Sequence, residues 1–281
     1  MKRTLYFCTA VIPLLCPRPS GGQTQKPRLL PTGGAAAKIR SIQNELVTGF
    51  NKETVPFSKA QHERQFEQLK RIVTGFVIRQ LEAEPAIERW QLRDQLIRIF
   101  GGQRDEQNPD AFLGPPYVFR AQAPNQDSPS VWAVAYRGDA YDGLGGSRTV
   151  VESYAVESGK ARLAGRGGME MDGYELSAEQ IGNPGANSTS ILIHGILDWA
   201  SGHVLPSAAE LYSVSPAGVK AIWKLTAPGI QFLGRDGMLF VIEYHDEQRH
   251  SKNLPSTAVD AYAIGRDSEI PYRVIHQFPV F

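Results

Sequence analysis

The sequence predicts a mainly β protein with an N-terminal α-helical layer, α+β overall, and three observations carry that reading. A pattern of acid, any residue, Tyr, small residue and β-branched residue recurs as Glu152 to Val156 (ESYAV), Glu210 to Val214 (ELYSV) and Asp260 to Ile264 (DAYAI). An apolar run precedes each copy: VWAVAY from Val131, ILIHGI from Ile191 and LFVIEY from Leu239. Between residues 35 and 102, by contrast, apolar residues return every three or four positions, which is the helical period.

Taken in order, the chain opens with Lys2 and Arg3, an apolar run from Leu5 to Leu15, and small residues at Ser20, Gly21 and Gly22. That charged, apolar, small-residue order is the pattern of a secretory signal, with cleavage expected after Gly22 and a secreted or periplasmic product. The run is too short to span a bilayer, and no later run is long enough. Cys16 after Leu14-Leu15 offers a competing reading as a lipid-modified terminus, against which stands Leu15 where a small residue belongs. The chain has two cysteines, Cys8 and Cys16, both in this segment, so a chain cleaved after Gly22 carries no disulfide and rests on core packing. Its formal charge of +1 falls to −2 once Lys2, Arg3 and Arg18 are removed, which implies no polyanion-binding surface of the kind that nucleic acid requires.

Residues 23–34 read as a flexible Pro- and Gly-rich leader. Residues 35–102 hold three helices. Ile39, Ile42, Leu46 and Phe50 mark the first, and Phe66, Leu69, Ile72, Val73, Phe76 and Leu81 the second, behind a capping box at Ser58 to Gln61. The third starts near Pro85, draws its apolar face from Ile87, Trp90, Leu92, Leu96, Ile97 and Phe100, and stops at Gly101-Gly102. Residues 103–116 form a linker. The β region, 117–281, divides into units of about 117–168, 174–228 and 229–281, each opened by a weaker strand at Tyr117, Tyr174 or Gly229 and closed by a strand after the Tyr copy. Four antiparallel strands per unit, repeated at roughly fifty to sixty residues, is a blade-like pattern.

The stretch LYSVSPAGVKAIWKL, and less closely YAVESGKARLAG, resembles the outer half of a β-propeller blade of the quinoprotein (PQQ-like) type. The resemblance implies an open or incomplete propeller-like array, because three units are fewer than the about four to eight of a closed ring. It implies no activity and no cofactor, since no cofactor motif of that family can be placed on these residues. The helices are expected to cover an open end of the array. Two chains joining three units each into a ring is the alternative.

Candidate chemistry is sparse. Glu243 and His245 alternate on a strand, and a loop returning His250 would complete a nitrogen and oxygen set suited to zinc or a similar divalent metal; the same residues equally make a solvated, charged strand end. His194 stands out in the aligned runs, where the other copies have Val134 and Ile242, and is read either as a grafted site or as a buried imidazole bonded to a backbone carbonyl. Asp142, Asp172 and Asp236 precede glycines and are turn signals first. No esterase elbow, phosphate loop or dinucleotide fingerprint is present. The expected role is an exported non-catalytic interaction or ligand-binding protein of the cell envelope or exterior, with protein or glycan partners engaged by loops or by surfaces around Trp132, Trp199 and Trp223. An exported, metal-assisted hydrolase and an assembly subunit pairing through open sheet edges are the alternatives.

Overall fold

The computed structural model describes residues 29–51, 59–102, 114–121, 128–139, 146–182, 187–197, 206–228, 230–235, 237–245, 256–263 and 272–275. The segment expected to be a secretory signal, the expected Ser58 cap, most of the expected linker, Trp199 and His250 lie outside them. Among the described residues there are three helices, α1 (Gly33–Asn51), α2 (Lys59–Ala83) and α3 (Arg89–Phe100). None is long and apolar enough to cross a membrane. Ile39 and Ile42 of α1, Phe66, Leu69, Val73, Phe76 and Leu81 of α2, and Leu92, Leu96, Ile99 and Phe100 of α3 are buried, as the helical spacing requires.

Two helix boundaries differ from expectation. The leader does not run to residue 34, because α1 begins at Gly33 and the buried Gln80 amide of α2 clamps Leu30 ahead of it. Leu30 N–H donates to Gln80 Oε1 at 3.2 Å, and Gln80 Nε2 donates to the Leu30 carbonyl at 3.1 Å. The third helix starts at Arg89, four residues after Pro85. Gln91 reaches back to accept from the Glu88 N–H at 2.8 Å, a local cap that Pro85 cannot supply. Gly101, at φ 84°, ends that helix as expected.

Eleven strands follow among the described residues: β1 (Tyr117–Arg120), β2 (Ser130–Asp139), β3 (Gly146–Glu157), β4 (Lys160–Ile181), β5 (Thr189–Leu197), β6 (Pro206–Ser215), β7 (Gly218–Pro228), β8 (Ile230–Arg235), β9 (Met238–His245), β10 (Ser256–Ala263) and β11 (Tyr272–Ile275). All pairings are antiparallel between sequence neighbours, with β1 to β7 in one sheet and β8 to β11 in another. The expected break between the first two units is bridged. β4 runs unbroken for 22 residues, pairing with β3 through Asp172 and with β5 from Gly173. Within it, Gly165 marks where the two halves of the large sheet touch. A Cβ on Gly165 would stand 2.7 Å from Gly218 Cα.

The result is a stack of four layers. Trp132, Val134, Tyr136, Val150 and Tyr154 pack on the helices. The opposite face of β1 to β3, through Phe119, Val131, Ala133 and Val151, packs on Ile191, Ile193, Tyr212 and Val214. Leu192, Ala209 and Leu211 then pack on Ile230, Phe232, Leu239 and Val241 of the second sheet. Strands covered on both faces read as continuous apolar runs, which is why β2 and β5 show no alternation. At the edge strand β1 the Pro116 carbonyl accepts from Arg93 Nε at 3.0 Å and the Arg120 carbonyl from Gln180 Nε2 at 3.3 Å, so side chains take two of the carbonyls that an incoming strand would use.

Candidate functional site

The recurring pattern turns out to be a three-dimensional device. In a strand, residues two apart share a face, and in both copies whose side chains are described the Tyr hydroxyl donates to the acid two residues before it: Tyr154 to Glu152 and Tyr212 to Glu210. Across the ladder a cation stands opposite each acid, Arg166 for Glu152 and Lys224 for Glu210. At the Tyr the partner strand bulges by one residue in all three units, at Ser153/Tyr154, Leu211/Tyr212 and Ala261/Tyr262. In each unit described, the pair faces the preceding layer: the helices for Tyr154, and the first half-sheet for Tyr212.

The first copy is the densest polar site. Glu152 is 0% exposed. Its Oε1 accepts from Thr74 Oγ1 of α2 and from Arg166 Nε, each at 2.8 Å, while Oε2 accepts from Tyr154. Arg166 also donates from Nη2 to Thr74 Oγ1 at 2.8 Å, closing the triangle. Tyr136, fully buried beside the carboxylate, has no hydrogen-bond partner for its hydroxyl among the described residues. Burial first, then the Glu152 charge, pushes both Tyr136 and Tyr154 well above the usual tyrosine range. Burial also raises Tyr212, helped by its bond to Glu210. For Arg166, burial pulls downward, but the charge and hydrogen bond of Glu152 outweigh it and the net shift is upward. Chemically the cluster is a saturated lock between α2 and the sheet. Every carboxylate oxygen is occupied from within the chain.

The expected site residues lie elsewhere. His194 faces the second sheet, with Nε2 3.1 Å from Glu179 Oε1 and its ring 6.1 Å from Phe232. Its partner is a carboxylate, and Glu179 Oε2 in turn accepts the Gly234 N–H at 2.9 Å, so the pair ties the two sheets together. The ladder also corrects its alignment. Ile193 stands opposite Glu210 as Val134 stands opposite Glu152 and Val241 opposite Asp260, so His194 matches Ala135 and Ile242. Glu243 and His245 alternate along β9, opposite Ala258 and Ser256. Their side chains, like His250, lie outside the described residues, and among the described residues no three potential metal ligands converge.

The tryptophan surfaces are redistributed as well. Trp132 is in the core, and Trp223 is half-buried with its ring edge-on to Phe232 at 6.2 Å. Trp90, expected on the apolar face of α3, is instead 67% exposed. Exposed Arg89 and Arg93 flank it on the helix, and Arg89 Nη1 donates to Gln180 Oε1 at 3.4 Å, the same amide that reaches the Arg120 carbonyl. The Arg120 guanidinium lies 4.9 Å over the Trp132 ring. Arg89 of α3 and Arg120 of β1 are thus bridged by Gln180, next to the turn of α3 that carries Trp90.

Two predictions follow from the buried lock. Arg166→Met strands the Glu152 charge and should lower stability to urea by about 3 kcal/mol, whereas the double variant Glu152→Gln/Arg166→Met should lose clearly less than the sum of the singles; strict additivity would contradict the coupling. For alkaline pH, unfolded tyrosines ionise near about 10. Tyr136 and Tyr154 keep their protons above that when folded, so the stability they contribute is complete below pH about 10 and falls as pH rises further, by about 1.4 kcal/mol per pH unit for each. Tyrosinate absorbance should then lag behind that of free tyrosine until the fold melts; full titration near pH 10 with native circular dichroism would contradict it.

Comparison with protein-family models, with curated proteins and with solved structures finds no match.

Proposed function

We propose that the chain is an exported, non-catalytic interaction or ligand-binding protein, in which an incomplete propeller-like stack is closed at one end by helices and presents a binding corner at α3 and β1. The observation that carries this reading is Trp90, a large indole held in solvent on a helix that buries Leu92, Leu96, Ile99 and Phe100. An exposed indole with Arg89 beside it and Arg93 one turn on has the composition of an interface hot spot, because both side-chain types give large contact area and directed bonds at low entropic cost. Arg89, Arg93 and Arg120 select for an anionic partner, an acidic glycan or an acidic protein segment. Export is read from the charged and apolar pattern of residues 1–22. The polar groups of the sheets support a scaffold role: Glu152, Glu210 and Glu179 are each bonded within the chain.

Tryptophan fluorescence tests the proposal, because Trp90 is exposed while Trp132 is buried. Polygalacturonate or polyglutamate should shift the emission in low salt, with the shift lost on adding salt and in Trp90→Ala, and binding should weaken about tenfold or more in Arg89→Glu/Arg93→Glu. No response to either polymer, or equal binding by Trp90→Ala, would refute it.

A further inference from the structure

Gln80 holds a place where an apolar residue is expected. It lies on the stripe of α2 that carries Leu69, Val73, Phe76 and Val77, and like them it is buried, at 0% exposed. A primary amide in such a position needs both its groups bonded, because a buried donor or acceptor without a partner is costly. Among the described residues no side chain supplies those bonds. Gln80 instead takes both main-chain groups of one residue, accepting from the Leu30 N–H and donating to the Leu30 carbonyl. A neighbouring β-strand exchanges the same two bonds with its partner residue. The amide therefore recognises extended backbone, whatever side chain that backbone carries.

The segment so held is short and lightly attached. Leu29 packs on the core from a half-buried position, Leu30 and Thr32 are half-buried, and Pro31 is exposed. Pro31 keeps Leu30 out of the helical region, and α1 begins only at Gly33, so residues 29–32 meet the layer as a peptide and not as part of a helix. Few buried apolar contacts and few bonds to the rest of the chain mark a segment that opens locally while its neighbours stay folded. Lifting it uncovers one donor and one acceptor, both on Gln80, set among the apolar residues of α2.

We propose that the part of the helical layer around Gln80 is a peptide-binding site and that residues 29–32 are its resident ligand. The occupant seen in place defines the class it takes: an extended, uncharged segment of the Leu-Leu-Pro kind. Its first residue supplies the apolar side chain that packs as Leu29 does. The second offers a free N–H and carbonyl to Gln80, and the proline holds that residue extended. The site uses none of the residues of the α3 and β1 corner and selects for an apolar backbone where that corner selects for anionic groups. While the resident segment is seated the site is closed. When it lifts, a segment of the same sequence from outside the chain takes its place.

Fluorescence anisotropy of a labelled peptide with the sequence of residues 26–34 tests this on the full chain. Leu30→Pro removes the N–H that Gln80 accepts and so loosens the resident segment. The peptide should bind Leu30→Pro saturably, and bind the unaltered chain about tenfold or more weakly, because there the site is already occupied. Adding Gln80→Leu to Leu30→Pro should abolish binding while the circular dichroism stays native. Amide exchange in the unaltered chain gives a reading that needs no variant: Leu30 should exchange faster than Leu69 to Leu81 of α2. No binding to a folded Leu30→Pro chain would overturn the proposal, as would equal binding by the unaltered chain or binding that survives Gln80→Leu. So would a Leu30 amide as slow as those of α2, since the segment would then lift only when the whole fold opens.

Discussion

The buried carboxylate of Glu152 is the interaction on which the arrangement depends. A charge removed from water costs several kcal/mol unless its lone pairs are filled and an opposite charge is close. Here Thr74, Tyr154 and Arg166 supply both conditions from three different elements, α2, β3 and β4. Satisfying Glu152 therefore fixes how the helical layer sits on the first sheet. Any other seating of α2 leaves a buried charge short of a donor. The hydrophobic contacts around it, from Phe76 and Val77 to Trp132 and Tyr154, supply most of the stabilisation but little of the register.

The same device is reused with less force deeper in the stack. Glu210, Tyr212 and Lys224 repeat the acid, hydroxyl and cation, yet Lys224 is largely exposed and stands 3.5 Å from the carboxylate. The bulge beside each Tyr is kept in all three units. A bulge adds local twist and re-aims side chains, and here it recurs at the same point of each repeat. His194 with Glu179 adds a separate tie where the second sheet begins.

The helices and most strands were legible because amphipathic spacing and β-branched runs report directly on burial. The repeat was legible too, since Glu152, Glu210 and Asp260 keep their spacing to the Tyr. Its register was not. VWAVAY is apolar on both faces, so nothing in the run says which residues face the helices, and the alignment that set His194 against Val134 slipped by one. The units were divided between 168 and 174, inside what is one strand, because the close approach of Gly218 to Gly165 cannot be seen from one strand alone. Trp90 was assigned to the core by its spacing, although Ile87, Leu92, Leu96 and Ile99 already fill that face. Gln80 carried no sequence signal of any kind. Its role depends on a backbone fifty residues away.

Amide hydrogen exchange on the full chain tests most directly whether the helical layer and the first sheet are one cooperative unit held by Glu152. The amides of Leu69 to Leu81 in α2 should exchange in the same slow class as those of Val150 to Val156 in β3, and Glu152→Gln should accelerate both together. Fast exchange throughout α2 beside a β3 that stays protected would contradict it, because the helices would then open independently and the carboxylate would not be what holds them.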